Sequence, residues 1–518
     1  MSTRSLTLRN AMFSSVGLYT EFALGMLTSI VIARHLGPNF FGAYSGAVWL
    51  MAMGVAIANA GTAGAAIRFV AELRGRGEEE RIHAALAYLR RAQRRVMLAV
   101  LLVCLALMAA AGNRLVPSLD AWIVMGFLAV TIPLRASYMF NIGIAKGFEN
   151  FRANAVVALV AAPVNLLLVL LVAWAGLSVY WQLAAFFASS VLFYEISRRQ
   201  VRTLMPPAQP AQALPPELLQ RIRHHVVYTG LAVAVGFIVS SDSEVLFLNM
   251  YQDEHGAGQF KVAFQLASGA ANLVPGVFGA LMLPMMAGAL TRGREVAGRK
   301  FAASTTYLGL LALPLIAFGL VFATSLVRLL YGQDYVEAGP ALAICLAATS
   351  LTAMTTAASS LLLSADRQRT VLVVIIACGV LKVSLDWLLI HHAGLAGAVW
   401  AFATVSLVQA VALTVLATRT SGVWLEWKRL VRILVAAAIA GVVVLPVHAQ
   451  LAVLPGLLLG VPLFGFAYLA CTLVLGCWSR GDIECLQSLF LRLAPRRQGA
   501  LGGVLAWAHR RAYREVAG

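Results

Sequence analysis

Charged side chains are scarce in this chain: Asp, Glu, Lys and Arg make up 12% of its 518 residues, about half the share found in soluble domains. A water-soluble protein of this length needs a charged shell around its cores, so that class is excluded. Acidic residues are the rarer sign, 22 against 40 basic ones, and the net charge is +18. The six cysteines lie mostly inside apolar stretches, which excludes a secreted disulfide framework and marks them as small apolar fillers. No phosphate-cradling P-loop, Gly-x-Ser-x-Gly elbow or zinc signature occurs, so direct ATP use and hydrolytic catalysis have no motif to carry them. The neighbouring histidines His224-His225 and His391-His392 point in different directions and have no carboxylate or Cys set at ligand spacing, so no metal site is expected.

What the chain does contain is apolar length. Hydrophobic residues make up 60% of it, and a helix crossing ~30 Å of hydrocarbon needs about 20 of them in a row. Stretches that qualify fall near 11–34, 41–65, 95–112, 118–142, 153–174, 177–197, 225–249, 259–288, 303–324, 339–364, 370–391, 395–417, 430–449 and 455–478. The first is too long for a secretory leader and lacks a small-residue cleavage pattern, so it is expected to remain as a membrane helix. The fold class is therefore an all-α polytopic membrane protein with about 14 spans.

The breaks between these stretches alternate in charge. Every second one is strongly basic, as with Arg74, Arg76, Arg90 and Arg91, or Arg198 and Arg199, while the others hold little beyond Arg34, Arg114 and Arg328. Such alternation predicts positive-inside insertion with both termini cytoplasmic. It also accounts for most of the excess base. The basic tail after the last span suits anionic lipid, and without a binding module it does not point to nucleic acid.

The break from Met205 to Pro216 is the most proline-rich and reads as a linker. Segments on either side repeat one another: Gly42-Ala-Tyr44 matches Gly258-Gln-Phe260 about 216 residues later, and Ala175-Gly-Leu177 matches Ala393-Gly-Leu395. We therefore expect an N-terminal lobe over 1–204, a cytoplasmic linker over 205–224, and a C-terminal lobe over 225–418. Two extra helices follow over 419–478, then a basic cytoplasmic tail over 479–518. Six spans per repeat give both lobes one orientation, which is transporter architecture.

At the exit of the first span the chain reads ARHLGPNFFGAY, from Ala33 to Tyr44. This segment resembles the Wzx-type polysaccharide flippases of the multidrug/oligosaccharidyl-lipid/polysaccharide exporter superfamily. So do LLYGQDYVEAGPAL (Leu329 to Leu342), LSADRQRTVLVV (Leu363 to Val374) and HAGLAGAVWAFA (His392 to Ala403). The resemblance implies translocation of a polyprenyl-pyrophosphate-linked oligosaccharide from the inner to the outer leaflet of a bacterial inner membrane, without covalent chemistry and so without an enzyme's active site. Membrane lipids are implied partners, as are the polymerase and other glycan assembly proteins. Two alternatives stand beside it: a cation-coupled multidrug exporter of the same superfamily, and a membrane-embedded polysaccharide polymerase or glycosyltransferase. The short outer breaks disfavour the second.

Ionisable residues at membrane depth supply the candidate site. A charge at the bilayer centre is unfavourable by at least ~2.5–3.5 kcal/mol, so such a residue faces a wet cavity or a partner. Arg135 and Lys382 are the candidate pyrophosphate donors, because a guanidinium fork or an ammonium suits phosphate oxygens. Lys382 and Asp386, four apart, also fit a simple pair on one helix face. Arg34 and Arg68, at opposite ends of the first two spans, are candidate gating or head-group residues, against plain anchoring. Glu21, Asp242, Glu244 and Asp386 are candidate ion-coupling carboxylates for protons or sodium, against ties to neighbouring helices. No cofactor is expected.

Overall fold

Inside hydrocarbon a chain must satisfy every backbone hydrogen bond within itself, which leaves helices as the economical solution for a single polypeptide of this composition. A computed structural model of the protein describes residues 3–150, 152–205, 214–274, 276–479, 481, 483 and 484, and it builds them as helices with short connections and no strand element. Most of the Met205–Pro216 linker and nearly all of the basic tail lie outside the described residues. The helices are α1 (Thr3–Ala58), α2 (Thr62–Gly75), α3 (Ile82–Leu115), α4 (Ala121–Gly147), α5 (Arg152–Trp174), α6 (Val179–Leu204), α7 (Pro216–Ser240) and α8 (Glu244–Met250). They continue with α9 (Glu254–Leu273), α10 (Gly276–Leu290), α11 (Arg294–Tyr331), α12 (Ala338–Met354), α13 (Thr356–Ser364), α14 (Gln368–Ser421), α15 (Trp427–Gln450) and α16 (Val453–Val474).

Eleven of these stretches are long and apolar enough to cross a membrane. Two of the eleven are double. One runs from Tyr19 to Gly75 and bends at Gly37, whose φ of 70° suits glycine; the other is α14, which bends at Gly394 with φ 49°. The pair α9 and α10 supplies a further apolar pass, which gives fourteen passes among the described residues, as read from the sequence.

Three passes are interrupted where the sequence predicts continuous spans. The 225–249 span breaks at Ser241, Asp242 and Ser243, the 259–288 span between α9 and α10, and the 339–364 span at Thr355. The first break has a direct cause: Ser and Asp side chains compete for backbone groups, so the sequence SSDS is a poor helix interior. In the opposite direction α3 begins at Ile82, some way before its apolar part at 95.

The chain divides into two compact units, Met1–Lys261 with Ile375–Ala401, and Val262–Val374 with Phe402–Gly518. In the first unit the basic ends of α2, α3, α4, α6 and α7 gather on one apolar cluster that includes Phe69, Leu73, Leu86, Phe140, Val201 and Ile222. The charged heads sit around it: Arg221 forms two hydrogen bonds to Glu72, at 2.9 and 3.0 Å, and Arg74 lies over the Phe148 ring. In the second unit the last two passes, α15 and α16, pack on α11 through Phe322, Ala440, Val444 and Phe464. Large apolar side chains face outward, among them Trp174, Leu320, Trp424 and Phe466, as expected of surfaces against lipid.

The repeat-paired glycines meet each other. Gly42, in the second arm of α1, packs on the Glu254 carbonyl oxygen of α9, and Gly258 of α9 packs on the Pro38 carbonyl oxygen of α1. A β-carbon at either position runs into backbone, which cannot swing aside. Gly42→Ala is therefore expected to lower stability by about 1–3 kcal/mol through overpacking, whereas Gly25→Ala, with open space around it, is neutral or stabilising. Thermal unfolding of the purified variants checks this; equal midpoints for both would dismiss the close crossing.

Candidate functional site

Two polar constellations lie within the first unit. The first is built by α4 and α6. Ser189 and Ser190 on α6 donate their hydroxyl hydrogens back to the Phe186 carbonyl, at 2.8 and 2.7 Å, the usual use of a serine inside a helix. Their oxygen lone pairs then point at Arg135 of α4, whose Nε donates to Ser190 Oγ at 2.9 Å and whose terminal nitrogen reaches Ser189 Oγ at 3.4 Å. The rings of Phe186 and Phe193 flank the guanidinium, with centroids 4.8 and 4.2 Å from its central carbon.

This arrangement orients a cation without neutralising it. Hydroxyls and ring faces attract a guanidinium but carry no net charge, and among the described residues no carboxylate stands within ion-pair distance of Arg135. Glu21 of α1, with Tyr44 and Tyr138, acts on it electrostatically from further away. Glu21 is half-buried, while Tyr44 and Tyr138 are buried, the latter edge-on to Phe193 at 5.1 Å. One of the sequence candidates for ion coupling thus lies beside one of the candidates for phosphate.

The second constellation sits at the break between α7 and α8. Lys382 of α14 donates to Glu244 Oε1 at 2.6 Å and to the Ser241 carbonyl at 3.1 Å, and Asp386, one turn along α14, accepts from Ser243 Oγ at 3.0 Å. Glu244, Lys382 and Asp386 have no exposed surface. Asp242, two residues before Glu244, turns the other way and pairs with Lys261 of α9 at 2.5 Å. The sequence reading treats Lys382 as an unpaired cation for phosphate or as the partner of Asp386; in the structure its short contact crosses to Glu244 on another helix, because the broken α7–α8 pass turns that carboxylate toward α14.

The remaining candidates stand apart from these. Arg34 is exposed beside the Gly37 bend. Arg68 is exposed at the basic end of α2, where it donates to His225 Nδ1 at 3.3 Å and lies over Phe69. Sequence reasoning did not find Ser189, Ser190, Phe186, Phe193 or Lys261. No local signal marks them, since each becomes relevant only through a helix far away in the chain.

These elements define a polytopic helical bundle with bent and broken helices, and solved structures share that fold. The chain resembles a lipid II flippase, MurJ, in an inward closed conformation, with a TM-score of 0.72 over 89% of this chain and 98% of that one at 12% identity. It also resembles a multidrug resistance MATE family transporter of the MOP superfamily. In the inward-facing form the TM-score is 0.62 over 79% of this chain and 98% of that one, and in the outward-facing form 0.53 over 80% and 95%, each at 16% identity. At such identities the likeness is one of fold. A family model described as polysaccharide biosynthesis protein matches residues 7–290, more than half of the sequence, and the chain belongs to that family. Comparison with curated protein sequences gave no match.

Proposed function

We propose that this protein translocates a polyprenyl-pyrophosphate-linked oligosaccharide repeat unit across the bacterial inner membrane by alternating access, supplying O-antigen, capsule or exopolysaccharide synthesis. The observation that carries the reading is Arg135: a guanidinium oriented by two serines and two aromatic rings, with its charge left for an anion. A pyrophosphate supplies that anion, and charge-assisted hydrogen bonds to it are about twice as strong as neutral ones. Family membership supports a saccharide cargo.

In this reading Arg135 is the principal head-group residue, and Arg68 and Arg34 serve the head group's entry and exit. Lys382 belongs to the coupling network with Glu244 and Asp386, and Asp242 and Glu21 complete the set of coupling carboxylates. The two six-pass lobes, 1–204 and 225–418, alternate access with both termini in the cytoplasm.

The multidrug-exporter reading requires acidic groups open to a cationic drug. Asp242 and Glu244 already hold Lys261 and Lys382, which weakens it. Reconstitution in liposomes separates the two: a fluorescent polyprenyl-pyrophosphate saccharide is expected to cross the bilayer in a protein-dependent way, and a cationic dye is not. Dye export with no glycolipid movement would overturn the proposal.

A further inference from the structure

Four arginines stand within six residues of α3: Arg90, Arg91, Arg94 and Arg95. All four are exposed, while Leu86, Leu89 and Gln93 on the other side of the same turns are buried. Gln93 fixes that orientation, because its amide donates to Asn59 Oδ1 at 2.8 Å and to the Ala136 carbonyl of α4 at 3.0 Å. Rolling α3 to bring the arginines inward would break both bonds.

Other arginines at this basic end gather round acids. Glu72 holds Arg76 and Arg221, Glu78 holds Arg81, and Glu195 holds Arg198 and Arg199. Among the described residues the four of α3 pair with no carboxylate, and Arg91 Nε donates to the Ala87 carbonyl of its own helix at 3.3 Å. Arg90 with Arg94 and Arg91 with Arg95 are spaced i,i+4, where like charges repel. Positive-inside insertion asks for basic residues at this end, but not for a cluster left without counter-charge.

The position of the cluster identifies the counter-charge. Arg91, Arg95, Leu98 and Leu102 follow one another at spacings of four, three and four, so they share one face of α3. Leu98 and Leu102 are 57% and 69% exposed, as suits a face against lipid. One helical turn is about 5.4 Å, so the guanidinium groups lie just beyond the apolar part of that face, at the depth of lipid phosphates, and their planar forks match phosphate oxygens. Gln93 points the opposite side of α3 at Ala136, the neighbour of Arg135, so this face is turned away from the proposed cargo site.

We propose that this face of α3 is a binding site for an anionic phospholipid, its phosphate held by Arg91, Arg94 and Arg95 with Arg90 beside them, and its acyl chain lying along Leu98 and Leu102. The site goes beyond the proposed function and does not depend on what the protein transports.

Photolabelling tests it. Full-length protein in phosphatidylcholine nanodiscs is titrated with phosphatidylglycerol carrying a photoreactive group on its acyl chain, and the labelled peptides are mapped. Saturable labelling of residues 96–103 is expected, with a phosphatidylcholine probe of the same design labelling them far less. A basic residue near the membrane surface is worth about fivefold in affinity for anionic lipid, so Arg91→Gln/Arg95→Gln should weaken the labelling roughly twenty-fivefold. Arg198→Gln/Arg199→Gln, with the same loss of charge from a cluster that has its own acid, should leave it unchanged. All these side chains are exposed, and equal thermal midpoints would show that the variants are folded. Equal labelling by the two probes, or wild-type affinity in Arg91→Gln/Arg95→Gln, would overturn the proposal by reducing the face to general lipid contact. Displacement by inorganic phosphate would assign the site to a soluble anion, and displacement by polyprenyl pyrophosphate at lower concentration than by unlabelled phosphatidylglycerol would assign it to the cargo; either would overturn the phospholipid as its occupant.

Discussion

Arg135→Ala is expected to reduce glycolipid translocation roughly ten- to a hundredfold while leaving the folded protein in place. Hydrogen bonds to a charged group are worth about 1.5–3 kcal/mol net, and each 1.4 kcal/mol is about a factor of ten. Folding suffers less, because the partners that Arg135 leaves behind are not stranded: Ser189 and Ser190 keep their bonds to the Phe186 carbonyl. Arg135→Lys separates charge from geometry. An ammonium preserves attraction but not the planar fork or the fit between Phe186 and Phe193, so an intermediate rate is expected. The double variant Ser189→Ala/Ser190→Ala keeps the charge but frees its orientation, and should raise the substrate concentration needed for half-maximal transport more than it lowers the maximal rate. Initial rates in liposomes against glycolipid concentration measure all three. Wild-type rates in Arg135→Ala would remove the head-group assignment.

The sequence and the structure agree where the physics is local. Span length follows from the thickness of hydrocarbon, so fourteen passes can be read along the chain, and the bends at Gly37 and Gly394 fall where glycines separate two apolar runs. Arg135 and Lys382 also stand out, because a base in an apolar stretch is visible by contrast. Their partners are not. Ser190 is 55 residues from Arg135 and Glu244 is 138 from Lys382, and neither distance leaves a periodic trace. The i,i+4 spacing of Lys382 and Asp386 is the local signal available, and it suggests a pair on one helix. The break at Ser241–Ser243 decides otherwise, by releasing Glu244 from the course of α7 and carrying it toward α14. A hydropathy reading smooths over three polar residues in a long apolar run, and there the charge pairing was lost.

The same pairing makes Lys382 the side chain whose loss the fold should feel most. Lys382→Met is expected to destabilise the protein by about 3–5 kcal/mol, the usual consequence of leaving a buried charge without its partner. Native proteins hold about 5–15 kcal/mol in total, so a large fall in yield and in thermal midpoint should follow. That drop alone does not separate lost pairing from lost packing, and the double variant Glu244→Gln/Lys382→Met does. Removing both charges strands neither member of the pair, and a buried pair exchanged for uncharged side chains of similar volume is often neutral or stabilising, although Asp386 stays buried with its hydrogen bond from Ser243 and no cation. The double variant should therefore recover part of the midpoint that Lys382→Met loses. Coupling energies between touching residues run from about 0.5 to 3 kcal/mol, and this pair, at 2.6 Å with no exposed surface on either side chain, belongs near the upper end. If the Lys382→Met midpoint equals wild type, or if the two substitutions simply add, the contact between α14 and the start of α8 does not hold the fold.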